Sequence, residues 1–231
     1  MKKFSFIFTM FVFVSFAFAQ TEHKRYYPNG KLEESGQFDA NGKAVGEWKH
    51  YYEEGNIERI EKYDGDKLFS QSFWKNGKKQ GISTSENGRF LGTKTLFFDN
   101  GQIWSISNFT NGSFDGMQKS YYSNGKLEHV GFYKNGIRIG KWEYFYEDGK
   151  RSIVTVYDND NALSTDWYRD DGTVRKKEKF EYNADAKVTE YFEEFNLKGK
   201  LEKSGSFFDG AEFGTWKFYD ENGKLIRTEN F

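Results

Sequence analysis

Residues Tyr26–Phe38 read YYPNGKLEESGQF, and residues Tyr121–Tyr133 read YYSNGKLEHVGFY. Each copy runs an aromatic pair into an Asn-Gly turn signal and closes on an aromatic eight residues after the glycine. A glycine four residues after an aromatic recurs at Gly30, Gly55, Gly77, Gly101, Gly125, Gly149, Gly172, Gly199 and Gly223, in steps of 22 to 27 residues. Turns at one near-constant interval are an internal repeat, and a repeat decides architecture before any single motif does. Between them lie Gly42, Gly65, Gly88, Gly112, Gly136, the pair Asn159-Asp160, the stretch Asn183–Asp185 and Gly210. A turn therefore arrives about every twelve residues, the signature of short strands joined by hairpins. The expectation is an all-β fold: an elongated, twisted antiparallel meander of about nine tandem hairpins, period about 24 residues, filling one domain over residues 20–231.

The positions around each turn glycine supply a candidate packing ladder. Four residues before it stand Tyr26, Tyr51, Phe97 and Tyr121; two after it, Leu32, Ile57, Ile103 and Leu127; eight after it, Phe38, Tyr63, Phe109 and Tyr133. Positions two and eight share a face if the strand runs without a bulge, because strand side chains alternate with period two. Pro28 fixes the turn type. It lacks the N–H that the closing pair of a two-residue loop needs, but suits the second position of a type I turn followed by Gly30 in a left-handed bulge. That three-residue loop pairs Tyr26 with Leu32. Tyr27, Tyr52, Trp74, Phe98, Tyr122 and Tyr146 then point to the other side, among Glu33, Glu58 and Glu128, as a candidate binding surface.

Other features bound the function. Lys and Arg number 34 against 35 Asp and Glu, so no single-signed field draws in nucleic acid or an anionic bilayer. There is no cysteine, which removes disulfides, thiol nucleophiles and thiolate metal sites. Lys2 and Lys3 precede an apolar run, Phe4–Ala19, that ends on Ala17-Phe18-Ala19. This reads as a secretory signal peptide, residues 1–19, cleaved after Ala19, because the run falls short of the ~20 residues needed to span a bilayer. The expected destination is the periplasm, cell surface or exterior, with no transmembrane segment left after cleavage.

The pattern YYxNGKLxxxGxF, followed by NGKxxGxW as in Asn41–Trp48, resembles the bacterial variant of the MORN repeat. Gly140–Trp142 and Gly214–Trp216 repeat the ending of Gly46–Trp48. The chain also looks like YwqK-type antitoxins, built of the same repeats. The resemblance implies arrays of β-hairpins that act by binding, with no catalytic residues to carry over. The pattern fades over Ser70–Ser85, where Lys79 and Ser85 replace apolar positions, and again over Tyr157–Asn196.

No catalytic constellation emerges. His23, His50 and His129 lie far apart, none beside an evident nucleophile, and each is read as an ordinary strand position. Asp158–Asn161 lacks the glycine and glutamate of a calcium loop and is read as a turn. The run Arg175–Lys179 is bracketed by Asp171 and Glu181 and is read as a solvated strand. Gly36, Gly131 and Gly205 sit inside strands, where a bare backbone invites close approach by a neighbouring aromatic or, alternatively, by a ligand. The reading is a non-enzymatic, cofactor-free and metal-free exported protein that binds another protein or assembles at the envelope or cell surface. A glycan stacked on the Tyr/Trp row and an antitoxin-like inhibitory role are the alternatives.

Overall fold

The computed structural model describes residues 20–231; the expected signal peptide lies outside the described residues. The strands are β1 (Thr21–Tyr26), β2 (Leu32–Phe38), β3 (Ala44–Tyr51), β4 (Ile57–Asp64), β5 (Lys67–Phe73), β6 (Lys79–Glu86), β7 (Arg89–Phe97), β8 (Ile103–Thr110) and β9 (Ser113–Tyr121). They continue as β10 (Leu127–Lys134), β11 (Ile137–Phe145), β12 (Arg151–Asp158), β13 (Asn161–Tyr168), β14 (Val174–Tyr182), β15 (Val188–Phe195), β16 (Leu201–Phe208), β17 (Ala211–Tyr219) and β18 (Leu225–Asn230). Each strand pairs antiparallel with the next, giving one open 18-stranded sheet and no helix among the described residues.

The turns divide into two kinds, one along each long edge of the sheet. At the first kind, Tyr27 accepts from Gly30 N at 2.9 Å and donates to Lys31 O at 2.8 Å, with Gly30 at φ +84°. This is the type I turn with a left-handed glycine that Pro28 requires, and Tyr26 pairs with Leu32. The asparagine of the NGK signal works twice. In the turn ending at Gly125, Asn124 Oδ1 accepts from Lys126 N at 2.9 Å, and its Nδ2 donates to Glu147 O in the next turn at 3.2 Å. Lys126 Nζ donates to Asp148 O at 2.8 Å. Equivalent bonds run from Asn76 and Lys78 to Asp99 O and Asn100 O, so this edge is a stack of stapled turns.

On the opposite edge most connections have two residues, with both φ angles positive at Asn87-Gly88, Asn111-Gly112, Asn135-Gly136, Asn159-Asp160 and Asp209-Gly210. These are the primed turns whose twist matches the strands. The link Asn183–Lys187 is instead a three-residue loop with Ala186 at φ +59°, in the place Gly42 takes in the loop Asp39–Lys43. A Cβ is strained there. Ala186→Gly is expected to stabilise the protein by about 0.5–1 kcal/mol, the strain relief being partly offset by the added freedom of glycine in the unfolded chain. The urea midpoint checks this.

The expected single ladder divides between the two faces. At the base of every first-kind hairpin the register shifts by one, as between Arg25 and Tyr26 or His50 and Tyr51. Arg25 opposes Glu34 and also reaches Glu33, at 3.0 and 3.1 Å, as expected when two consecutive residues face one across a bulge. Tyr26 with Leu32, Tyr51 with Ile57, Phe97 with Ile103 and Tyr121 with Leu127 therefore pair on one face. Phe38, Tyr63, Phe109 and Tyr133 fall on the other, where Phe38 meets Trp48 at 4.8 Å and Tyr133 meets Trp142 at 5.0 Å. Tyr26 is 55% exposed, so the first face is not a sealed core.

Candidate binding face

The second face is built on Gly-Trp pairs. Trp48, Trp142 and Trp216 are 6%, 2% and 0% exposed, the most buried large side chains of the sheet. Each ring lies on the bare backbone of a glycine in the preceding strand: a Cβ on Gly36, Gly131 or Gly205 would stand 2.1 Å from a ring carbon of Trp48, Trp142 or Trp216. Two residues before each Trp, Gly46, Gly140 and Gly214 adopt φ of +66°, +64° and +71° beside a register shift. The bulge re-aims the strand so that the indole lies over its neighbour. The close approach expected at the three in-strand glycines is thus made by the tryptophan of the following strand.

The candidate surface Tyr27, Tyr52, Trp74, Phe98, Tyr122 and Tyr146 lies on this same face, and most of it is committed to the scaffold. Tyr27, Tyr52, Tyr122 and Tyr146 donate their hydroxyls to Tyr51 O, Phe73 O, Phe145 O and Tyr168 O at 2.5, 2.7, 2.7 and 2.7 Å. Trp74 Nε1 reaches Phe97 O at 3.2 Å, and the Arg169 guanidinium caps Phe195 O. Every bond crosses to the next repeat. Burial pushes the Tyr52 and Tyr122 hydroxyl pKa values up, aided by nearby glutamates. Phe98 alone in the row has no donor.

Two polar arrangements share this face, one beside the Gly36-Trp48 pair and one where such a pair is missing. Toward β1, His23, Glu34, His50 and Glu61 form an alternating row across four strands: His23 to Glu34 at 2.9 Å, Glu34 to His50 at 3.4 Å, and His50 to Glu61 at 3.2 Å. Burial acts to raise the Glu34 pKa, but hydrogen bonds from His23 and Arg25 outweigh it and hold the carboxyl below its usual range. His23 and His50 are therefore members of a row of polar contacts with carboxylates, a role their sequence neighbours did not signal. His129 differs, since burial lowers its pKa against the pull of Glu128. Among the described residues no three His, Asp or Glu side chains converge as a metal site.

The second arrangement occupies β4 to β8. Ser70 and Lys94 stand where sister strands carry Trp, and Ser83 stands where they carry the covered glycine. A groove of about 380 Å³ opens there, with Ser70, Ser72, Gly81 and Ser83 as floor, Arg59 and Lys94 on its flanks, and Trp74 and Trp104 at one end. With no indole plate, this segment has less to protect it. Amide hydrogen exchange is expected to be faster over residues 75–90 than over residues 121–146. Equal protection in the two segments would show that the missing plate carries no local stability.

The sequence matches the family model described as MORN repeat variant over residues 20–40, 44–64, 91–111, 114–135, 138–159 and 214–231. With more than half of its residues so matched, the chain belongs to the MORN-repeat family. Residues 65–90 lie outside the matched stretches, and they hold the floor of the groove. No curated protein matches the sequence. Among solved structures, the sheet is similar to part of the chain described as TcdB2-TccC3, at 10% identity and a TM-score of 0.21, over 91% of this chain and 18% of that one. The structure described as TcdB2-TccC3-TEV gives 14% identity, a TM-score of 0.19, and coverage of 91% and 16%. This chain thus spans less than a fifth of either. Among the described residues no helix is long and apolar enough to cross a membrane.

Proposed function

We propose that the protein is exported and serves as a non-catalytic scaffold that binds another protein through the tryptophan-bearing face of its sheet. MORN repeats are binding modules in general, which fits this reading. The observation that carries it is how the irregular side chains are distributed. The regular aromatic, Asn and Lys positions are spent on joining one repeat to the next, while the irregular groups, including the His–Glu row and the groove, gather on one face. Eighteen strands at ~4.8 Å spacing offer a face roughly 80 Å long, ample for a protein interface. An antitoxin-like role would be the same mode with a toxic protein as partner. A glycan is the second reading, favoured by the indoles at the end of the groove.

Lysines separate the faces and supply the test. Lys176 and Lys203 lie against Trp167 and Trp216 on the tryptophan face, whereas the pleat places Lys62 and Lys119 on the other. Lysine-directed cross-linking in envelope extracts should join one identified protein to Lys176 or Lys203, with excess unlabelled protein suppressing the link. Cross-links confined to Lys62 and Lys119 would reject the face. Retention of polysaccharide without protein would replace the partner class.

A further inference from the structure

From the groove between β4 and β8 we infer a binding site for an acidic sugar, a uronate-bearing saccharide. The inference concerns one groove and does not depend on the protein-binding reading. It starts from residues that depart from the repeat and do nothing for the scaffold. Trp104 stands three after its turn glycine, where Glu33, Glu58 and Glu128 stand in sister repeats. Its ring is 47% exposed and tilts against Phe98 at 6.0 Å. Lys94 replaces a buried tryptophan and lies over the Phe90 ring at 4.3 Å instead of on a carboxylate. Ser83 and Lys94 together stand in place of the glycine and ring of one Gly-Trp pair, and Ser70 stands in place of the ring in the repeat before it.

Taken as chemistry, these groups divide the work of holding one ligand. A partly exposed indole offers an apolar, electron-rich face to the C–H side of a pyranose ring. The hydroxyls of Ser70, Ser72 and Ser83 both donate and accept, as sugar hydroxyls do. Lys94 supplies a cation for a carboxylate. Arg59, three strand spacings or roughly 14 Å away, supplies a second. Its Nε is engaged by Glu61 at 3.1 Å, while its terminal nitrogens remain for a ligand. Two cations so spaced suit acidic residues near the two ends of a short oligosaccharide rather than adjacent ones. The volume, about 380 Å³, is that of a small-ligand site.

The sheet itself argues against a peptide in this place. An extended peptide gains affinity from main-chain hydrogen bonds, usually by adding to a sheet edge. Here the backbone groups of β4 to β8 are paired between strands, and the groove offers only side chains.

Isothermal titration of the purified protein with trigalacturonate, maltotriose and a poly-glutamate peptide tests the site. Trigalacturonate should bind with saturation, at least tenfold more tightly than maltotriose, and more weakly as salt rises. Trp104→Ala and Lys94→Gln should each weaken it by about tenfold, whereas Lys119→Gln on the far face should leave it unchanged. Circular dichroism of each variant separates lost binding from lost folding. Absence of trigalacturonate binding at millimolar concentration overturns the inference. So does equal affinity for maltotriose, or tight poly-glutamate binding that survives Trp104→Ala, which would mark an acidic-peptide site.

Discussion

Trp142→Ala is expected to lower stability by about 3–5 kcal/mol, the range for deleting a large, fully buried aromatic. The ring is 2% exposed and packs against Tyr133 and Tyr157 at centroid distances of 5.0 and 6.3 Å, as well as on Gly131. The converse change is smaller in atoms and nearly as severe. Gly131→Ala adds one methyl, but its Cβ would fall 2.1 Å from the indole, so the ring must leave its seat or the strands must part. Overpacking of this kind costs about 1–3 kcal/mol, rising toward the value for Trp142→Ala if the ring is expelled. The double variant decides the mechanism. If the glycine exists to seat the ring, Gly131→Ala should cost little once Trp142 is already Ala, and the two losses should fall well short of additive. Additive losses in urea titrations would mean that Gly131 serves its own strand and not its neighbour.

The same pairing shows how much could be read before any coordinates. Period, strand count and the three-residue loop at Pro28 follow from local chemistry, since Asn-Gly and a proline without an N–H act within a few residues. Tyr26 opposite Leu32 follows from them. The partner of each in-strand glycine was also within reach, because Gly36, Gly131 and Gly205 are each followed eleven or twelve residues later by Trp48, Trp142 and Trp216. Only the repeats with the glycine have the tryptophan. The bulge at the hairpin base was not legible. It falls beside Glu33, Glu58, Gln80, Trp104 and Glu128 in successive repeats, mostly acidic or amide side chains that carry no bulge signal, because its backbone conformation is open to any side chain. Missing it moved Phe38 and Tyr63 to the wrong face. The row from Tyr27 to Tyr146 was read as exposed for a related reason. A hydroxyl that reaches a carbonyl some 23 residues away has no sequence signal except that four of the six positions are Tyr. The groove showed itself as decay of the pattern over Ser70–Ser85, although decay alone carries no chemistry.

In solution the protein is expected to be markedly longer than a globular chain of its size. The measure is small-angle scattering. A compact domain of about 210 residues has a radius of gyration near 17 Å. Eighteen strands stacked at ~4.8 Å make a body roughly 80 Å long, and a uniform rod of that length has a radius of gyration of about 24 Å before its width is added. Bulges at both kinds of hairpin strengthen the twist and shorten the long axis somewhat, so the expected value lies between about 21 and 26 Å. The surface points the same way: 15660 Å² is exposed, against roughly 10,900 Å² for a compact protein of this mass. Among the described residues only Trp48, Phe109, Trp142 and Trp216 are buried apolar side chains, so no central core draws the ends together. Stability then resides in contacts between neighbouring hairpins, and the long face is a consequence of that arrangement. A measured radius close to 17 Å would mean that the sheet closes on itself, removing the long face through which binding is proposed.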